Sequence, residues 1–335
     1  MPILKIYRPP ITYMPFETSL MSILMGEEGF SDWINSNMIQ VGIKILPDDY
    51  NGLLTPNLYF LDKPYNIEMN AIPIKLLIKE DISYYINVFL KNGYYLFLYL
   101  DKYFLPNYSN YRINHDVHSL LVYGMNKSKI YIADFFRNGK FTFESCSLSS
   151  INKAVGICQS DLYNPADKES DLLLLKPLKI QYEFCVNTLV KNLESYLNCS
   201  YLNGERETKE YDGFGMKNYL YIYSYLESLK NNIFNIDYRI FSFHLSHKLL
   251  LLDKIKLLCQ FSLDFFPLIN EIKQMIHICK INKSLSLKYN VNKNKQLLTM
   301  LIENIYILFQ KEKRFIQEII VKCNDLNHTQ SPRQT

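Results

Sequence analysis

No cysteine precedes Cys146 in this 335-residue chain, and none of its seven cysteines stands in CxxC spacing. An odd number without paired spacing argues against a disulfide frame and points to reduced thiols, as in a cytoplasmic protein. Long apolar runs are also missing. No segment reaches the roughly 18 uncharged apolar residues of a membrane span, and the nearest, KLLLLDKIKLL, is broken by Asp253, Lys254 and Lys256. The opening MPILKIYRPPITYMPFE carries Lys5, Arg8, Pro9 and Pro10 with no small-residue cleavage site, so no signal peptide is expected. The formal net charge is only +4 and is spread along the chain, which leaves no electrostatic footprint for nucleic acid. Neither a glycine-rich phosphate loop nor an internal repeat is found.

What is present is apolar and aromatic. Hydrophobic residues make up 48% and aromatic residues 14% of the chain, enough to bury a core in each of two domains. Abundant Lys, Asn, Ile and Tyr read as compositional bias. Phe16, Leu20, Ile23 and Leu24 fall at helical spacing over 16–28, with Gly29 as a stop. Residues 38–60 read as irregular with short strands, punctuated by Pro47, Gly52 and Pro56. A helix is expected over 78–91, with Asp81 near its start, and a buried strand over 94–101. Phe141 and Phe143 alternate with polar neighbours as on a strand. SLSSINKAV then reads as a helix capped by Ser147 or Ser149. The polar stretch 164–171, NPADKESD, reads as a linker. Beyond it the periodicity is helical, over 182–197, 216–230, 237–263 and 297–320. The expected class is therefore α+β: a mixed domain at 1–165, an all-helical domain at 166–325 and a frayed tail at 326–335.

The segment NHDVHSLLVYGMNKSKIYIADF, residues 114–135, reads as a hairpin with His118 opening one strand and Asp134 closing the next. That places a base beside a carboxylate able to fix its tautomer. The same pattern also suits a histidine with a purely structural role. His115 with His118, and His244 with His247, have His-x-x-His spacing, but no third ligand is evident and no metal is expected. No cofactor is expected. Cys146 reads as a small core residue. Gly213 and Gly215 in YDGFGMK precede a helix, where the entry turn explains them better than an anion site.

The stretch LYLDKYFLPNYSNYRINHDVHSLLVYGMNKSKIYIAD carries further features: Asp101 followed by Tyr103 and Phe104, then Pro106, Tyr108 and Tyr111, then His115, His118, Gly124 and Asp134. It resembles the papain-like cysteine-peptidase fold, in the branch containing the butirosin-biosynthesis protein H family of nonribosomal-peptide and antibiotic clusters. YDGFGMKNYLYIYSYLESL and IDYRIFSFHLSHKLLLLDKIKLL resemble its helical C-terminal region. The resemblance implies a papain-like domain and acyl transfer from a carrier-protein thioester by a cysteine at the head of the first helix. A helix N-terminus lowers a thiol's pKa. In the family pattern Cys-x-Glu-x-x-Leu, Glu17 and Leu20 match, and the cysteine position falls on Pro15. Two readings stay open. Either the chain is non-catalytic and keeps His118 and Asp134 for binding, or Ser19, with Thr18 and Ser22 nearby, supplies a substitute nucleophile. Glu17, Asp101, Tyr108, Tyr111 and His115 are expected around the cleft. An acyl- or peptidyl-carrier protein is the implied partner. A third possibility is a structural partner of a true cysteine enzyme. No nucleic-acid or membrane partner is expected, and homo- and hetero-oligomers both remain open.

Overall fold

The computed structural model describes residues 2–47, 53–62, 64, 66–73, 77, 82–137, 139–158, 171–179, 181–200, 210–231 and 234–330. Asp81 and the expected linker up to residue 170 lie outside them. In chain order the elements are α1 (Pro15–Leu24), α2 (Phe30–Ser36), β1 (Val41–Pro47), β2 (Leu54–Phe60), β3 (Ile67–Pro73), α3 (Ile82–Lys91), β4 (Tyr95–Asp101), β5 (Val117–Met125), β6 (Lys129–Phe135) and β7 (Phe141–Ser147). There follow α4 (Leu148–Cys158), β8 (Asp171–Pro177), α5 (Val186–Leu197), β9 (Gly213–Phe214), α6 (Asn218–Ser228), α7 (Arg239–Leu258), α8 (Phe266–Asn292) and α9 (Lys295–Gln330). The class is α+β, with helices and antiparallel sheets first and an all-helical C-terminal region.

The chain divides into two compact units, Met1–Phe30 with Pro64–Gln181 and Ser31–Lys63 with Tyr182–Thr335. This differs from the single break expected near residue 165. Strand β8 belongs with the first unit, and β1 and β2 belong with the C-terminal helices. The tail is also more regular than its polar sequence implies, because α9 continues to Gln330.

The first unit is built on a six-stranded antiparallel sheet in the order β3-β8-β4-β5-β6-β7. Strand β4, YLFLYLD, is central and apolar on both faces. Alternation sends Leu96, Leu98 and Leu100 to one face, where they join Ile86 and Leu90 of α3 and Ile151, Ala154 and Val155 of α4 in one buried cluster. The other face carries Phe97, whose ring meets Phe16 of α1 edge-on at 5.2 Å. Full burial of such a side chain contributes about 1.5–3 kcal/mol. Ser147 caps α4, its Oγ accepting from the Ser150 amide at 3.1 Å.

The second unit has a small sheet, β2-β1-β9, and the long helices. On α9 the stripe Leu298, Leu301, Ile305, Leu308, Phe315, Ile316 and Ile319 is buried as its spacing implies. Helix α8, absent from the sequence reading, runs 27 residues. No described helix is long and apolar enough to cross a membrane.

Candidate functional site

Helix α1 begins at Pro15, in its first turn, behind the extended residue Met14. Proline suits this position because its missing amide hydrogen would have no intrahelical acceptor. Pro15 lines a cleft of about 460 Å³ together with Met14, Phe16, Glu17, Phe97, Tyr99, Val117, His118, Ser119 and Leu173. Most of these walls are apolar or aromatic, with Glu17, His118 and Ser119 as the polar groups. Burial pushes the Glu17 carboxyl above its ordinary value.

His118 Nε2 lies 3.0 Å from Asp134 Oδ2. The side chain of His118 is 29% exposed and that of Asp134 1%. The hairpin register explains the approach. Leu121 faces Ala133, so one step further Asp134 stands opposite Leu120, on the face that also carries His118. The Tyr108 hydroxyl donates to the same Oδ2, and the rings of Tyr108 and His118 are 6.1 Å apart. Burial first, and the Asp134 charge second, hold the Tyr108 hydroxyl well above its ordinary pKa, so it remains a donor. Asp134 Oδ1 is buried without a hydrogen-bond partner among the described residues.

His118 is among the residues that line the cleft, but the dyad and the helix terminus lie on different faces of the sheet. His118 pairs with Leu100, on the face covered by α3 and α4, whereas α1 lies against the Phe97 face. A nucleophile at the head of α1 would therefore face the side of the sheet away from the imidazole, which is directed at Tyr108 and Asp134.

The other sequence candidates fall elsewhere. Ser19 is 1% exposed and is not among the residues that line this cleft, so its hydroxyl has no access to a ligand there. Thr18 and Ser22 are likewise buried, with Ser22 Oγ donating to the Thr18 carbonyl at 2.9 Å. Asp101 does not line the cleft. It is fully buried, accepts from the amides of Tyr103 and Asp116 at 3.0 and 3.1 Å, and holds His115 Nδ1 at 2.5 Å. His115 stacks on Tyr103 with ring centroids 4.2 Å apart. This group braces the turn between β4 and β5. Tyr108 stands behind His118 instead of lining the cleft, and Tyr111 lies under Arg112, 5.0 Å from its guanidinium. Cys146 is buried in the core, its thiol pushed up to about 12. Gly215 has a φ of +55°, and a Cβ there would come within 2.2 Å of the Tyr196 carbonyl oxygen, so the entry turn alone requires glycine.

Sequence reasoning missed a buried polar cluster in the second unit. Glu312 Oε1 accepts from Lys248 Nζ at 2.6 Å and from the Tyr196 hydroxyl at 3.3 Å, and its Oε2 accepts from the Tyr219 hydroxyl. His247 Nδ1 is 3.4 Å from Oε1, and its Nε2 is 3.0 Å from the Ile39 carbonyl. His244 Nε2 is 3.0 Å from Asn218 Oδ1. Burial, reinforced by the Lys248 charge, lowers both imidazoles, His244 to about 3. Lys248 and the hydrogen-bonding His247 keep the Glu312 carboxyl below its ordinary range against the opposing effect of burial. A similar pair sits nearby. Burial pushes Asp62 up to about 6 and Lys254 down to about 7, while Lys254 Nζ donates to the Ile34 carbonyl at 2.6 Å. His244 and His247 thus serve these bonds, and among the described residues no group of three His, Cys, Asp or Glu could hold a metal ion.

A signal for this cluster exists in the sequence. Glu312 falls at the helical interval between Leu308 and Ile316, inside the apolar stripe of α9. Lys248 falls likewise between His244 and Leu251 on α7.

No protein-family model matches the chain, and a search of curated proteins finds no match.

Proposed function

We propose that the chain is a non-catalytic relative of the papain-like acyltransferases of the butirosin-biosynthesis protein H type, and that its cleft binds a pantetheine-linked acyl or peptidyl group presented by a carrier protein. The observation that carries this reading is Pro15 at the head of α1, on the wall of the cleft that His118 borders. A thioester enzyme of that type needs a thiolate where this chain offers a proline ring with no nucleophilic atom. The apolar walls suit an acyl or thioether chain, and Glu17 and Ser119 suit the amide groups of a pantetheine arm. The His118 imidazole, held by Asp134 on the other side of the sheet, fixes the strand that forms this wall.

The test is titration of the protein with an acyl-carrier protein bearing an acyl-pantetheine thioester, with intact mass recorded in parallel. Saturable binding, weakened by Phe97→Trp in the cleft and accompanied by no mass increase, is expected. A covalent adduct, or transfer of the acyl group to an added amine at more than one turnover, overturns the non-catalytic reading. Absence of binding overturns the carrier-protein reading and leaves a structural partnership with a separate cysteine enzyme.

A further inference from the structure

The second unit contains a pocket of about 420 Å³ bordered by the end of α5, the turn before α6, α6 itself and the middle of α9. This size falls in the range of about 300–1,000 Å³ usual for small-molecule sites. Leu197, Met216, Leu220, Ile305 and Phe309 give it an aliphatic and aromatic lining. No carboxylate lines it, whereas Lys217 and Lys313 do. Ile305, Phe309 and Lys313 recur every four residues on α9, so they share one face of that helix.

The pocket has a fixed wall. The Tyr219 ring lines it, while the Tyr219 hydroxyl is held by Glu312, which Lys248 holds in turn. With this hydroxyl committed behind the wall, Tyr219 offers nothing polar to a ligand. The other polar groups of the lining are the Tyr223 and Tyr306 hydroxyls, the Cys199 thiol and the two lysines, too few to pair the many donors and acceptors of a sugar, nucleotide or peptide backbone. Apolar surface is nevertheless left open at the mouth, where Leu220 and Tyr306 are 59% and 60% exposed. Lys313 has no carboxylate partner among the described residues, and Lys217 lies over the Tyr221 ring at 5.5 Å. An apolar body and an anionic head match this arrangement.

We propose that this pocket binds a medium-chain fatty-acid anion, with its unbranched tail among Leu197, Ile305 and Phe309 and its carboxylate at Lys217 and Lys313. The site is independent of the cleft at Pro15. Each lysine–carboxylate contact is a charge-assisted hydrogen bond, so charge as well as chain length sets the affinity.

The test is calorimetric titration of the full chain with dodecanoate below its micelle threshold, with dodecanol and with vesicles of anionic phosphatidylglycerol as separate arms. Saturable one-to-one binding of dodecanoate is expected, with dodecanol about tenfold weaker, the factor that about 1.4 kcal/mol represents. Leu220→Trp, at an exposed position that fills the mouth, is expected to abolish binding. Lys313→Glu is expected to weaken dodecanoate about tenfold and leave dodecanol unchanged. Circular dichroism and thermal melting verify that both variants fold. Absence of saturable binding, equal binding of acid and alcohol, or binding unaffected by both substitutions overturns the proposal. So does vesicle binding without binding of monomeric dodecanoate, which would make the patch a membrane-docking surface.

Discussion

Asp134 is a buried carboxylate whose stability depends on two neighbours, Tyr108 and His118. Replacing Tyr108 by Phe removes a hydrogen bond to a charged group, worth about 1.5–3 kcal/mol. Urea unfolding at pH 7 is therefore expected to show a loss of that size for Tyr108→Phe, and a loss below about 0.5 kcal/mol would mean that the hydroxyl does not serve Asp134. The buried histidines act with pH. Both are held below their ordinary value of 6.5 in the fold, His244 to about 3, so the unfolded chain takes up the proton first. Their contribution is complete above about pH 6.5 and is lost as pH falls toward the folded values, with a slope of at most about 1.4 kcal/mol per pH unit for each proton. Groups facing His244 include Asn218, Tyr219, His247, Lys248 and Glu312. The lowered carboxyl of Glu312 adds to the decline below its ordinary value of 4.5. His244→Gln is expected to flatten the slope between pH 6.5 and 5 by about one proton, and an unchanged slope would show that His244 is protonated in the fold. At this scale the sequence was readable where chemistry is local: His118 and Asp134 could be paired from hairpin spacing. Lys248 and Glu312 look like solvated charges because their partners are 64 residues apart.

Helix α1 begins with a proline where a thiol would be most activated, and this can be tested by placing one there. In Pro15→Cys the new thiol sits at a helix N-terminus on an open cleft, which lowers its pKa. Peptide-resolved alkylation at pH 7 is expected to label Cys at position 15 at least about tenfold faster than Cys146, and equal labelling would mean that the helix end does not activate it. Adding His118→Ala is expected to leave that rate little changed, because the imidazole faces Asp134 from the other side of the sheet. A large fall would instead place His118 in contact with the helix end. Gly215, at the turn into α6, supplies a second test. Its left-handed φ and the Tyr196 carbonyl 2.2 Å from a built Cβ imply that Gly215→Ala destabilises by more than about 1–3 kcal/mol, measured by thermal melting. Elements with strong periodicity were legible, among them α9 and the β5–β6 hairpin. Helix α8 was not, because Lys, Asn and Ser interrupt its apolar positions and only packing against α7 and α9 selects its buried face.

The two units interleave in sequence, and no local pattern signals this. Residues 38–60 read in sequence as ordinary short strands, and the assignment of the 31–63 segment depends on partners far along the chain: the Ile39 carbonyl for His247, the Ile34 carbonyl for Lys254 and the Phe60 ring against Phe243 at 4.7 Å. A fragment comprising 166–335 alone is therefore expected to lack a cooperative thermal transition, since it leaves buried donors on His247 and Lys254 unpaired. A sharp transition in that fragment would show that β1 and β2 are dispensable. The same interleaving sets a timetable on the ribosome. Every residue of the first unit has been synthesised once Gln181 is added, whereas Val41–Phe60 must wait for α5 to α9. At about 5–20 residues per second that wait lasts on the order of 15–55 s. Throughout it the apolar strands β1 and β2 are without the helices that will cover them, which makes this early segment the part of the nascent chain with most need of a chaperone.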